Sequence, residues 1–304
     1  MGARKGFFLV LVAAVVAALM TILIQFGVEA QLGVLTAGNF RDVVRAREVA
    51  KSIIEGAKAT VEEEQWRNPN VIAFISKRIM TEGHCEGILS DEEGKLPINQ
   101  LVLSGEDGLE ILQRYWLIRD GSPASLRALI DWIDPDDRTV YGESEASFYG
   151  KLGKIPPNRP LQSIYELPTV AFMKREKEKL EKLKERPYED DMTVWGEGKI
   201  NLLTANRDVL LSLSEEMTEE LVDRILLMRE GGRFQTMEDF RRQIPLPPGV
   251  YKTLEKWGTL TSETFRVEIR ISFRKVRLAV WSVFRRKGGK VETLYYREGL
   301  WRSE

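Results

Sequence analysis

Three periodicities divide the chain. From Phe7 to Val28 no residue is charged and nearly all are apolar, with Thr21, Gln25 and Gly27 as the interruptions. As a helix this run spans roughly 33 Å, enough to cross a hydrocarbon core of about 30 Å. Further on, Val43, Ala46, Ala50, Ile53, Ala57 and Val61 recur at spacings of three and four, with Arg45, Glu48, Lys51, Glu55 and Lys58 off the stripe. That is the pattern of an amphipathic helix with one buried face. No proline precedes Pro69, so one helix is expected to run out of the membrane, with residues 7–28 as its transmembrane half and 29–80 as its soluble half. Gly33 and Gly38 are weak points that such a helix tolerates.

Residues 105–258 read mainly as helices. Leu109, Leu112, Tyr115 and Trp116 keep helical spacing, as do Leu126, Leu129, Ile130 and Ile133. Met173 to Arg186 mixes Lys and Glu around Leu180 and Leu183, which predicts an exposed helix laced with i,i+4 ion pairs and ended by Pro187. A helical hairpin is expected from Ile200 to Leu246, with helices at Asn206–Leu213, Thr218–Arg229 and Thr236–Arg242 around a Gly231-Gly232 break. From Phe265 the period changes to two. Phe265, Val267, Ile269, Ile271 and Phe273 alternate with polar residues, Leu278, Val280 and Ser282 share a face, and Gly288-Gly289 turns the chain into Val291, Thr293 and Tyr295. These are antiparallel strands with one face buried, so the chain is α+β.

Composition narrows the function. Lys+Arg 45 against Asp+Glu 46 leaves a net charge of -1, which argues against a protein that grips nucleic acid electrostatically. Cys85 is the lone cysteine and excludes an internal disulfide; with His84 beside it, the pair is too small to close a zinc site. No glycine-rich phosphate loop, nucleophile elbow or histidine constellation is present, so no enzyme chemistry is indicated. Two rival readings remain. The 200–246 region resembles helix-hairpin-helix modules of DNA-binding proteins, but its turn is Ser214-Glu215-Glu216-Met217, with two carboxylates where a phosphate would sit. Val28-Glu29-Ala30 offers a secretory cleavage pattern, which would release a soluble protein, for instance a carboxylate-based hydrolase; the apolar run is longer than the usual signal core of about 7–15 residues.

The N-terminus carries a more specific signal. Met1 to Gly6 is a short leader whose only charges are Arg4 and Lys5, so the positive-inside tendency leaves it cytoplasmic and sends the rest across. A basic leader ending in glycine, then phenylalanine and an apolar helix, resembles the prepilin-peptidase site of type IV pilin-like proteins. The resemblance implies cleavage between Gly6 and Phe7 and N-methylation of Phe7. Most members have glutamate at the fifth mature position; here it is Leu11. That glutamate pairs with a neighbour's terminal ammonium in the filament, and a capping subunit with nothing above it would bury an unpaired carboxylate at a cost of several kcal/mol. The K-class minor pseudopilins of type II secretion depart from the pattern in the same way. Ordered internal segments agree with that class: Asp91 to Asn99, resembling its first post-helix strand; Leu129-Ile130-Asp131-Trp132-Ile133-Asp134-Pro135-Asp136-Asp137; Pro157-Asn158-Arg159-Pro160-Leu161; and Gly198 to Ala205.

The resemblance implies a pilin-like fold, a long N-terminal helix packed on an antiparallel sheet, with a first strand region at 88–104, an inserted all-α domain at 105–258 and C-terminal strands at 259–304. It implies a pseudopilus-tip subunit in the inner membrane with its bulk in the periplasm. Its partners would be minor pseudopilins of the I and J classes, the major pseudopilin, prepilin peptidase, the inner-membrane assembly platform and membrane lipid, with no nucleic acid. The class is also associated with calcium. Asp131, Asp134, Asp136 and Asp137 crowd a proline-bent loop, with Glu143 and Glu145 soon after, and hard oxygen ligands at short spacing suit Ca²⁺. The alternative is turn chemistry, in which Asp accepts hydrogen bonds from nearby backbone amides.

Overall fold

The computed structural model describes residues 2–63, 83–138, 149–153, 155–230, 234 and 236–300, with side chains from residue 12 onward. Helix α1, Gly2–Glu62, is continuous and about 92 Å long. Its two halves differ as the sequence requires. Leu23, Ile24 and Phe26 are each 67% exposed, whereas Ala46, Ala50, Ile53, Ala57 and Val61 are buried. α1 is described as far as Glu62, and the rest of the expected soluble half, 64–80, lies outside the described residues.

Strand β1 (Gly83–Asp91) pairs antiparallel with β6 (Thr264–Phe273), which pairs with β7 (Val276–Lys287), which pairs with β8 (Lys290–Gly299), giving a four-stranded sheet in the order β1-β6-β7-β8. Cys85, Leu89, Phe265, Val267, Ile269, Ile271, Leu278, Val280 and Phe284 point from one face onto the buried stripe of α1. The first strand therefore begins ahead of the expected 88–104 region and ends within it, at Asp91. Asp91 to Asn99 is not a strand but its end, a turn, the two-residue β2 (Leu96–Pro97) and the start of helix α2 (Ile98–Leu103). At the far edge a bulge interrupts the register, since Val283 pairs with Tyr295 and Phe284 with Thr293. The skipped Leu294 turns Tyr295 to the opposite face from Val291 and Thr293, where its ring meets Trp195 at 5.9 Å.

Between β1 and β6 the chain builds a second, all-α core of its own. Helices α3 (Glu106–Ile118) and α4 (Pro123–Ile133) lead into a 3₁₀ turn at Ile164–Thr169, then α5 (Met173–Leu183) and α6 (Tyr188–Asp191). The short strands β3 (Met192–Thr193) and β4 (Ile200–Asn201) follow, then α7 (Arg207–Ser212), α8 (Glu219–Glu230), α9 (Met237–Gln243), α10 (Pro248–Trp257) and β5 (Gly258–Thr259). Helix starts follow side-chain chemistry. Ser122 accepts from the Ala124 and Ser125 amides ahead of Pro123, Asn206 from Val209, and Thr236 from Asp239. The charged helix α5 is less solvated than expected. Met173, Glu176 and Leu180 are buried, and Glu176 accepts the Ser122 amide at 3.2 Å.

Candidate functional site

Three places concentrate chemistry. The first is the anchor. Gly6 and Phe7 lie within the helical backbone of α1. The apolar side chains from Val12 to Val28 meet no other part of the described protein, which leaves that half of the helix to a membrane or to partner helices. Ion pairs fasten the head where the exposure ends. Asp42 lies 3.5 Å from Arg274 in the β6–β7 turn, and Arg47 reaches Glu298 on β8 at 2.9 Å.

The second is the acidic loop after α4. Asp131 is buried on the inward face of the helix, where the Tyr149 hydroxyl donates to it at 3.4 Å. Asp134 ends the helix in extended conformation. Burial, with Asp136 and Asp131 nearby, pushes its carboxyl up to about 6, and its Oδ1 is buried with no hydrogen-bond partner among the described residues. Asp136 accepts its own loop's Arg138 amide at 2.8 Å, the turn chemistry expected of Asp. Asn158, from the Pro-Asn-Arg-Pro segment, donates to the Asp136 carbonyl at 2.6 Å and holds that segment against the loop. Its role was not singled out from sequence, and only the contact reveals it. Asp137 is exposed, and Glu143 and Glu145 lie outside the described residues. Among the described residues no three carboxylates converge as a metal cluster. The loop thus offers one buried, unsatisfied carboxylate oxygen beside two more acids, which fits a cation at Asp134 but supplies only part of a ligand shell.

The third is the hairpin turn. Ser214 accepts the Glu216 amide, and Glu216 Oε2 accepts the Gly249 amide at 2.6 Å. Gly249 stands in the first turn of α10, so the protein's own carboxylate occupies the anion position that a helix start offers. A groove of about 780 Å³ beside this turn is lined by Asp107, Glu110, Glu215, Glu216 and Glu255 against Arg114, Lys252 and Lys256. Its excess of negative charge repels a phosphate backbone.

No family model and no curated protein matches the chain. Among solved structures, it matches a chain of the GspK-GspI-GspJ complex from the type 2 secretion system of enterotoxigenic Escherichia coli with a TM-score of 0.58. The match covers 84% of this chain and 99% of that one at 16% identity. The chain has the type IV pilin-like fold. A match over 84% of the chain extends well beyond α1 and the four-stranded sheet, so it takes in part of the helical insertion as well. At this identity the likeness is one of architecture.

Proposed function

We propose that this protein is a minor pseudopilin of the K class, a membrane-anchored subunit at the tip of a type II secretion pseudopilus, and not an enzyme. The observation that carries this reading is the combination of a half-exposed apolar helix with a pilin-like head enlarged by an all-α insertion. An exposed helix of this length is costly in water, so it belongs in lipid or among other such helices. A head enlarged in this way is hard to repeat along a helical shaft, which favours the end of a filament. Leu11 in place of the usual glutamate agrees with a subunit that has none above it.

On this reading prepilin peptidase cuts between Gly6 and Phe7, Phe7 is N-methylated, and α1 crosses the inner membrane with the head in the periplasm. The partners are pseudopilins of the I and J classes, then the major pseudopilin and the assembly platform. The structural neighbour comes from a complex with GspI and GspJ, which supports the first of these. Calcium would be held at the acidic loop by Asp134 with Asp131, Asp136 and Asp137, and by Glu143 and Glu145 of the segment outside the described residues. A bound divalent cation would neutralise the Asp134 carboxylate that burial disfavours. The DNA-binding reading has no support from the hairpin turn, where Glu216 already fills the anion position.

Affinity isolation of the full-length protein from solubilised membranes of its own secretion-competent cells tests the proposal. Recovery of I- and J-class pseudopilins with it is the expected result. Recovery of the protein without them, from cells that make all three, would count against it.

A further inference from the structure

Asp91, Glu92 and Glu93 stand where the chain leaves the sheet for the helical domain, and each is 5% exposed or less. Buried with them are two cations, Lys95 and Arg266, and both reach Glu92 Oε1, at 2.7 and 3.1 Å. Thr193 adds a hydrogen bond to Glu92 Oε2 at 2.5 Å. Burial works against the charge on Glu92, yet the two cations hold its carboxyl below the usual range. Three acids against two bases leave one negative charge too many in a place water does not reach.

The excess falls on Asp91 and Glu93, buried two residues apart, with the Glu93 amide donating to Asp91 Oδ1 and the charge on Asp91 acting against a charge on Glu93. Two neighbouring carboxylates buried without a cation of their own are not both ionised, so one of them carries a proton. Asp91 is the better place for the charge. Its Oδ2 accepts from Ser262 and Thr204 at 2.6 Å and from Asn201 at 3.1 Å, and its Oδ1 accepts the Glu93 amide at 2.9 Å. Glu93 is met by Thr264, whose amide donates to Oε2 at 2.9 Å, so fewer donors among the described residues face it than face Asp91. Burial raises both carboxyls, but four hydrogen bonds work against the rise at Asp91, whereas burial followed by the Asp91 charge pushes Glu93 up to about 8. Also facing this place are Glu268 on β6, 3.3 Å from Arg266 and acting on Lys95 as well, and Tyr165 from the 3₁₀ turn and Asp190 on α6, which act on Arg266.

The partners of the pair come from every segment that crosses between the two cores. Glu92 donates to the Thr264 carbonyl, and Asn201 donates to the Glu93 carbonyl at 2.7 Å. Ser262 and Thr264 belong to the returning chain, while Asn201 and Thr204 open the hairpin region. We propose that Asp91 and Glu93 share one proton that keeps the seam between the sheet and the helical domain closed, and that losing it in alkaline solution loosens the seam while both cores stay folded. The inference is independent of the secretion reading. It makes the rigidity of the head on its helix a proton-dependent property.

Hydrogen exchange on the full-length protein in detergent, from about pH 7 to about pH 9.5 with intrinsic base catalysis divided out, tests this. The Asn201 and Thr264 amides should lose protection by about tenfold or more, while mid-sheet amides such as Ile269 and Val280 keep theirs. In Glu93→Gln, whose amide can donate to Asp91 and still accept from Thr264, seam protection should not change with pH. The proposal is overturned if the seam and mid-sheet amides lose protection together, or if Glu93→Gln repeats the wild-type fall. Should that variant not fold, infrared spectra of the wild type decide instead. A protonated-carboxyl band at about pH 7 that disappears in step with seam exchange is expected; its absence at that pH overturns the proposal.

Discussion

The Asp42 carboxylate lies 3.5 Å from the Arg274 guanidinium, joining the β6–β7 turn to α1 one turn before the buried stripe begins at Ala46. Arg274 makes this contact from the left-handed region, at φ 50, where glycine is normally preferred. The position therefore carries two opposed effects. Arg274→Ala keeps the backbone strain and loses the ion pair, and should cost about 1 kcal/mol. Arg274→Gly loses the same pair but relieves the strain, so it should be the milder change by about 0.5–1 kcal/mol. Chemical denaturation of the two variants side by side checks the order.

Gly108 has a different reason to be glycine. A Cβ there would stand 2.1 Å from the Leu101 carbonyl oxygen and 2.3 Å from Ser104 Oγ, because α2 and α3 meet in a tight corner. Backbone cannot move aside as a side-chain tip can. Gly108→Ala should destabilise the helical domain by about 3 kcal/mol, read as a lowered denaturation midpoint.

The Glu216–Gly249 hydrogen bond predicts both a stability effect and a binding result. Glu216→Ala removes the carboxylate from the start of α10 and should cost about 1 kcal/mol. Duplex DNA should remain unshifted by the wild-type protein at physiological ionic strength. A salt-dependent shift by the wild type would revive the DNA-binding reading.

Asp134 predicts a pH dependence with a definite sign. Its carboxyl is raised to about 6 in the folded protein, so the folded state binds the proton more tightly than the unfolded one. The stabilising contribution is complete below the ordinary aspartate range near about 4 and is lost as pH rises through about 6. At neutral pH the ionised carboxylate is a liability that a cation would relieve. Calcium should raise the thermal midpoint of the wild type at neutral pH, and the increment should shrink in Asp134→Asn. An equal increment in both proteins would place any calcium elsewhere.

The parts legible in the sequence were those in which one periodicity faces one environment. The α1 stripe and the alternation of Phe265, Val267, Ile269, Ile271 and Phe273 each face a single core, and both stand where expected. The first strand was misplaced because charge usually marks surface. Asp91, Glu92, Glu93 and Lys95 are ionisable yet buried, and the three acids are held by partners 100 and more residues away in Thr193, Asn201, Ser262 and Thr264. Local pattern carries no trace of such partners. The same blindness made α5 look solvated, since nothing near Glu176 in sequence announces that Ser122 needs an acceptor. The Leu294 bulge shifts a face by one residue and leaves no compositional mark. Of the acidic loop, the sequence gathered the aspartates, while Asn158 reaches it from a segment that only the fold brings near.

Mass spectrometry of the mature N-terminus, on protein taken from the membranes of cells with an active prepilin peptidase, tests the central claim most directly. An N-methylated chain beginning at Phe7, with the Gly6→Val variant left as full-length precursor, is the predicted result. A chain beginning at Gln31 and recovered in the soluble fraction, or normal maturation of Gly6→Val, would contradict it.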